Sequence, residues 1–379
     1  MSGPLEGYFV IELAGMGPAP YACMLLADAG ATVLRLTRAG DGGGASNEWD
    51  LLSRSRTSVS IDLKRPEAVD LVLDLTTRAD VLVEGFRPGV AERLGLGPED
   101  CWARNARLVY ARMTGWGQDG PLAARAGHDI DFIALAGALW PIGRHGERPV
   151  PPLNLVGDFG GGGMLLAFGV VSALLEAQRS GSGQVVDAAM IDGAASLMTM
   201  VHGLRHGGMW QDERGVNLLD TGAPFYEVYE TADEGFVAVG AIEPQFYTAL
   251  LEGLGIDAAS LPPQMDRTHW PETAARFAAV FKSKTRDEWA AVFEGTDACV
   301  VPVLSPAEAP AHPHLAARET FVTRRGVVQP SAVPRFSRTP AAVRDAPEVV
   351  EALGVWGVGE ETVAALRSSG VLRDDSSRD

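Results

Sequence analysis

The order of elements in the first hundred residues constrains this chain more than any other feature. Tyr8 to Leu13 (YFVIEL) is a β-rich run followed by a Gly/Pro loop, Ala14 to Pro20. Tyr21 to Ala29 then has helical character and stops at Gly30, a natural helix terminator. Ala31 to Leu36 predicts a second strand, Glu67 to Thr76 a helix, Val81 to Glu84 a third strand and Arg107 to Met113 a further one. Such βαβα alternation predicts an α/β fold, a Rossmann-like parallel sheet flanked by helices. Gly15-Met16-Gly17 opens like a dinucleotide fingerprint, but the sixth position is Pro20. Without the third glycine the helix cannot approach the strand as that motif requires, so NAD is rejected.

Beyond the sheet, Gly127 to Pro152 reads as loop. Gly157 to Gly163 (GDFGGGG) opens onto an apolar helix, Met164 to Gln178, and a second helix is expected over Asp187 to His202. From Gly222 the character changes to paired strands, Phe225 to Thr231 and Gly235 to Ala241, followed by helices at Gln245 to Leu254, Glu272 to Val280 and Arg286 to Phe293. The expected organisation is therefore a large α/β domain over 1–200, a linker over 201–221 and a smaller α+β domain over 222–318. A second linker covers 319–329, and 330–379 returns to the large domain through a Pro-rich link and a helical tail, Glu360 to Arg367.

A length of 379 residues suggests two or three domains. The longest apolar stretch, Met164 to Leu175, is too short to cross a bilayer, so no membrane span is expected. The first residues lack the basic start and apolar core of a signal peptide, and the last are not a peroxisomal tail; a cytoplasmic protein is expected. The net charge of −17 argues against nucleic-acid binding. It leaves a small anionic ligand open, because between Arg35 and Arg93 lie Arg38, Arg54, Arg56, Lys64, Arg65, Arg78 and Arg87. Cys23, Cys101 and Cys299 are too far apart for a CxxC site and read as packing cysteines.

Two segments place titratable groups among small or apolar residues: Ala126 to Phe132 (AGHDIDF) and Asn154 to Phe159 (NLVGDF), the latter followed by four glycines. A glycine-rich turn entering a helix presents backbone N–H groups and the positive end of a dipole to a developing oxyanion. Asp158 there is either a reactive carboxylate or a helix N-cap. His128, beside Asp129 and Asp131, is either a proton carrier or a hydrogen-bonded structural residue. Neither segment has metal-ligand spacing, and there is no G-x-S-x-G elbow or P-loop. The residues alone thus describe an α/β enzyme with a histidine, a carboxylate and an oxyanion-binding turn.

At these segments the chain resembles the class III CoA-transferase superfamily, and within it the α-methylacyl-CoA racemase branch. The resemblance runs through GPLEGYFVIELAGMGPAPYACMLLADAGATVLRLTR, RSRTSVSIDLK, ADVLVEGFRPGVAERLGLG, ARMTGWGQDGP, AGHDIDF, PPLNLVGDFGGG, GQVVDAAMIDG and VAVGAIEPQFY. It implies acid/base roles for His128 and Asp158 on the two faces of C2 of an acyl-CoA, with no cofactor and no metal. His128 is the discriminating residue, because in the transferases of the superfamily the aspartate instead forms an aspartyl-CoA thioester and the histidine is generally lacking. A transferase and a non-catalytic acyl-CoA-binding paralogue are the rival readings. Glu243, otherwise a surface carboxylate at a strand end, matches a glutamate that orients the histidine from the partner's small domain, which implies an interlocked homodimer. The resemblance further implies Arg38, Asp62, Leu63, Lys64 and Arg87 for CoA. For the acyl chain it implies a surface that here includes Asn154, Met190, Met198, Met200 and Met209, the methionines being equally readable as helix core. Phe132 departs from the pattern, standing where tyrosine is expected.

Overall fold

Strand β1 (Phe9–Leu13) sets the plan of the first half. Its successive residues Val10 and Ile11 point to opposite faces, and both are buried. A strand apolar on both faces needs cover on both sides, as in a parallel sheet clad by helices. The computed structural model, which describes residues 3–38 and 49–373, has that arrangement. In chain order there follow α1 (Pro18–Asp28), β2 (Thr32–Arg38), β3 (Thr57–Ile61), α2 (Pro66–Thr76), β4 (Val81–Glu84), α3 (Val90–Arg93), α4 (Pro98–Trp102), β5 (Val109–Thr114) and α5 (Asp129–Leu135). A π-helix (Leu155–Met164) then continues directly into α6 (Leu165–Ser180), followed by β6 (Val185–Ala189) and α7 (Met190–Leu197).

The strands align in the order β3-β2-β1-β4-β5-β6, all parallel, with the C-terminal strand Leu372–Arg373 added antiparallel to β3. Val10 pairs with Val33 on one side and Val81 on the other, so the winding reverses at β1 and β4. A crevice outside the carboxyl ends of the strands at this reversal is where ligands bind in such sheets. One face is covered by α1 and α6 around Val10, Val83, Ala111, Leu166 and Val170. The other is covered by α2 and the C-terminal helices Val349–Val355 and Glu360–Ser368 around Ile11, Leu82, Tyr110, Val72 and Trp356.

Two compact units emerge. The first holds the residues up to Ala136, Leu153–Leu197 and those from Ala316 onward; the second holds Gly137–Pro152 and Met198–Leu315. The units differ from the expected boundaries. Residues 198–221, read as the end of the large domain and a linker, fall in the second unit, and 316–329, read as the end of the small domain and a linker, fall in the first. Residues 137–152, read as part of the large domain, group with the second. Arg214 explains this last difference, since its Nε donates to the Trp140 carbonyl at 2.8 Å, another of its nitrogens donates to the Glu147 carbonyl, and its guanidinium lies over the Trp140 ring. The second unit comprises α8 (Thr199–His206), β7 (Tyr226–Glu230), β8 (Phe236–Gly240), α9 (Pro244–Leu254), α10 (Trp270–Phe281), α11 (Arg286–Phe293) and β9 (Val300–Pro302). Its antiparallel sheet β7-β8-β9 packs one face on an aromatic core that includes Phe225, Tyr229, Phe277, Phe281 and Trp289.

Three further expectations are corrected. β3 was not anticipated, because TSVSI carries three hydroxyl residues among its five; it forms through pairing with β2, where Thr37 donates its hydroxyl to the Val59 carbonyl. The helix expected over Asp187 to His202 is instead the end of β6 followed by two short helices, because Val185 and Val186 extend the sheet beside β5. Cys299 is exposed and at a positive φ of 53°, while Cys23 and Cys101 are buried as expected. The run Leu155–Ser180 is also long and apolar enough in composition to span a membrane. It carries Asp158, and Gly161, Leu166, Val170 and Leu174 along it are buried in the first unit.

Candidate active site

The site is built where three segments of the first unit meet. His128 caps α5, and its backbone N–H donates to the Asp131 carboxylate at 2.9 Å, one half of a capping box. This fixes the entry of α5 and leaves the His128 side chain exposed. Asp129, the next residue, turns inward and is buried. Its Oδ2 accepts the backbone N–H of Asp158 at 2.7 Å, joining α5 to the π-helix.

Asp158 is not an N-cap. Asn154 occupies that position, and its amide nitrogen donates to Asp158 Oδ2 at 3.2 Å. A π-helix widens the turn by one residue and recurs at functional sites. Here the wide turn lets Asp158 sit half-buried between α5 and the start of α1. A Cβ on Gly17 would lie 3.2 Å from Asp158 Oδ2, so the loop after β1 approaches the carboxylate closely. Gly17, with φ of 69°, is the N-cap of α1. The positive end of α1 therefore adjoins this carboxylate, whereas α5 reaches Asp158 through the Asp129 carboxylate.

The glycines after Asp158 have a different role from the one expected. They lie inside the π-helix, with backbone N–H groups bonded five residues back, and do not form an open anion-binding turn. Their small size permits close packing instead. A Cβ on Gly157 would stand 2.6 Å from Asp129 Oδ2, and one on Gly161 would stand 2.6 Å from the Ala194 nitrogen in α7.

Burial raises the pKa of Asp158 above the ordinary carboxylate value. The Asn154 hydrogen bond opposes this, the neighbouring Asp129 charge adds to it, and the His128 charge opposes it. Asp158 and His128 are thus electrostatically linked, with burial the largest influence on the Asp158 carboxyl. Among the described residues, no group of three or more His, Cys, Asp or Glu side chains is placed to hold a metal ion.

The other expected site residues divide between the units. Arg38 ends β2, Asp62, Leu63 and Lys64 follow β3, and Arg87 follows β4, all at the carboxyl edge of the sheet. Asp62 Oδ1 accepts the Lys64 N–H at 3.1 Å, and Arg38, Lys64 and Arg87 are exposed. Three others of the basic concentration have structural partners: Arg35 and Arg56 pair with buried Glu12, and Arg54 pairs with Asp28 at 2.6 Å. Met190 is buried in the first unit's core, within reach of Gly162. Met198, Met200 and Met209 belong to the second unit, where Met200 and Met209 are exposed. Glu243 is also in the second unit, exposed as the N-cap residue of α9. Phe132 is buried, edge-on to Trp116 with ring centroids 4.8 Å apart, and its ring tip faces Gly115. Asp129 was missed as a site residue. Its adjacency to His128 was visible, but its bond to Asp158 spans 29 residues.

The chain belongs to CoA-transferase family III, whose sequence pattern covers residues 5–351. It is 47% identical to the α-methylacyl-CoA racemase of Mus musculus over 379 residues, and 43% identical to that of Homo sapiens over 381, with 98% of both chains covered in each case. Among solved structures it is similar to Rv3272 of Mycobacterium tuberculosis, with a TM-score of 0.75 and 26% identity over 91% of this chain and 97% of that one.

Proposed function

We propose that this chain is an α-methylacyl-CoA racemase, interconverting the (2R) and (2S) forms of 2-methylacyl-CoA thioesters by removing and returning the C2 proton. The observation that carries the reading is the electrostatically linked His128 and Asp158 in a chain similar along almost its whole length to racemases of that name. The C2 proton of a thioester is weakly acidic, so the enolate needs electrostatic support. The positive end of α1 supplies it beside Asp158. For one epimer Asp158 takes the proton and cationic His128 returns one to the opposite face. For the other epimer neutral His128 takes it and protonated Asp158 returns it. The raised pKa of Asp158 suits this exchange, because a carboxyl that keeps its proton more readily can act as the acid that one direction of the cycle requires.

In this reading Arg38, Lys64 and Arg87 hold the phosphates of CoA at the carboxyl edge of the sheet, with Asp62 and Leu63 beside them. Asn154 holds Asp158 in place, and Met198, Met200 and Met209 offer adaptable thioethers to the acyl chain. The working form is a homodimer in which the partner's copy of Glu243 orients His128. Exposed apolar groups support an assembled state: Phe168 is 71% exposed on α6, and Tyr226, Val228 and Val301 lie uncovered on the second unit's sheet. A cytoplasmic setting accords with three cysteines that are all unpaired.

The test is incubation with one epimer of a 2-methylacyl-CoA in D₂O, following C2 by NMR. Deuterium incorporation together with loss of optical purity is expected. CoA binding without exchange, accompanied by an aspartyl-CoA adduct that hydroxylamine cleaves, would replace the racemase with a transferase.

A further inference from the structure

The strands β4, β5 and β6 carry a polar network, with Glu84 and Arg112 buried at its centre, that the proton transfer does not use. Glu84, the last residue of β4, is buried, and its Oε2 accepts the backbone N–H of Phe86 at 2.6 Å. That bond closes the turn at the start of Gly85–Gly89, the loop that carries Arg87. On its other side Glu84 lies 3.6 Å from the Nε of Arg112 on β5. Arg112 spreads its fork over three elements: it pairs with Glu92 in α3, donates to the Gln118 side chain at 2.9 Å, and approaches Glu84. Gln118 in turn donates its N–H to Asp187 of β6 at 3.3 Å. Both ends of the loop, Phe86 at its start and Glu92 just beyond it, are thereby referred to one guanidinium.

We propose that Glu84 is a positioning residue for acyl-CoA, holding the 85–89 loop through its contacts with Phe86 and Arg112 so that Arg87 meets the CoA phosphates. This rests on the reading of Arg87 as a CoA contact. A loop residue with an exposed side chain has many conformations, and a fixed backbone reduces the ordering cost of each productive encounter. The ionised carboxylate is the stronger acceptor for the Phe86 N–H and the only form that pairs with Arg112.

The charge of Glu84 is set by its surroundings. Burial raises its pKa to about 7, outweighing the Phe86 hydrogen bond and Arg112, which lower it, while Glu92 on α3 and Asp187 on β6 add to the rise. Near neutrality the loop therefore passes between a clamped form at higher pH and a looser one at lower pH. Affinity for acyl-CoA follows the same direction, stronger above neutrality and weaker below.

The experiment measures kcat and KM for a 2-methylacyl-CoA between pH 6 and 8 in wild type, Glu84→Gln, Glu84→Ala and Arg87→Ala. In wild type, KM is expected to fall several-fold as pH rises. Glu84→Gln keeps an acceptor for Phe86 but loses the charge, so its KM should stay near the wild-type value at pH 6, with kcat little changed. Glu84→Ala, losing the acceptor too, should raise KM by about tenfold. Arg87→Ala should raise KM comparably. A wild-type KM and pH profile in Glu84→Gln, alongside a raised KM in Arg87→Ala, overturns the positioning role alone. An unchanged KM in Arg87→Ala instead overturns the underlying assignment of the CoA contact.

Discussion

Asp129 holds Asp158 by its backbone: the buried Asp129 carboxylate accepts the Asp158 N–H at 2.7 Å and at the same time raises the pKa of the Asp158 side chain. The two effects are separable. Asp129→Asn keeps an acceptor and removes the charge, so the pKa of Asp158 moves down. The acid limb of kcat/KM, for the epimer that uses Asp158 as base, then shifts to lower pH. Asp129→Ala leaves a buried N–H without its partner and costs about 1–3 kcal/mol of stability. pH–rate profiles and thermal unfolding of the two variants check this. An unmoved acid limb in Asp129→Asn would show that its charge does not tune Asp158.

The paired acid/base assignment predicts that His128→Ala and Asp158→Ala each lose racemisation by about 10²–10⁴-fold. Each variant should retain exchange of the C2 proton more readily from the epimer whose proton the surviving group faces. Chiral separation of products in D₂O measures both quantities. Full racemisation by either variant would remove that residue from the chemistry.

Close packing of the π-helix on α7 predicts that Gly193→Ala is severe. A Cβ there would lie 1.8 Å from the Gly161 carbonyl oxygen, a backbone atom that cannot swing aside. We expect a loss of about 3 kcal/mol or more, with activity falling in parallel because the same π-helix carries Asp158. Denaturant unfolding decides it, and wild-type stability would mean that the two helices separate without cost.

Thiol accessibility follows from the three cysteine environments. Burial raises the pKa of Cys101 to about 12 and that of Cys23 well above the usual thiol value. The Cys299 thiol is also raised, by partial burial and the charges of Glu243 and Asp297, but it alone of the three is exposed. A disulfide reagent at pH 8 should modify one thiol in the native protein and three after denaturation. Mass mapping should place the native adduct on Cys299.

The sequence made the sheet legible wherever apolar runs were unbroken. β4 and α11 fall where they were expected, and β1, β2 and α9 within one or two residues. β3 and the strand Leu372–Arg373 were not legible, since hydroxyl residues and a two-residue length leave almost no pattern to read. Their identity as strands comes from partners far along the chain. His128 and Asp158 stood out as polar groups among small residues, yet only the family resemblance gave them roles. Asp129 and Glu84 escaped because their contacts with Asp158 and Arg112 join separate elements, and nothing in local composition records such a contact.

The strand Leu372–Arg373 pairs with Ile61 and Ser60 at the edge of the large sheet. On a ribosome, about 300 residues are synthesised between those partners, which at roughly 5–20 residues per second is about 15–60 s. Throughout that interval the outer edge of β3 is an unpaired template, open to strands from neighbouring nascent chains. Synthesis of this strand therefore both completes the sheet of the first unit and caps its edge. Truncation of the C-terminus should show itself first as loss of yield in the cell.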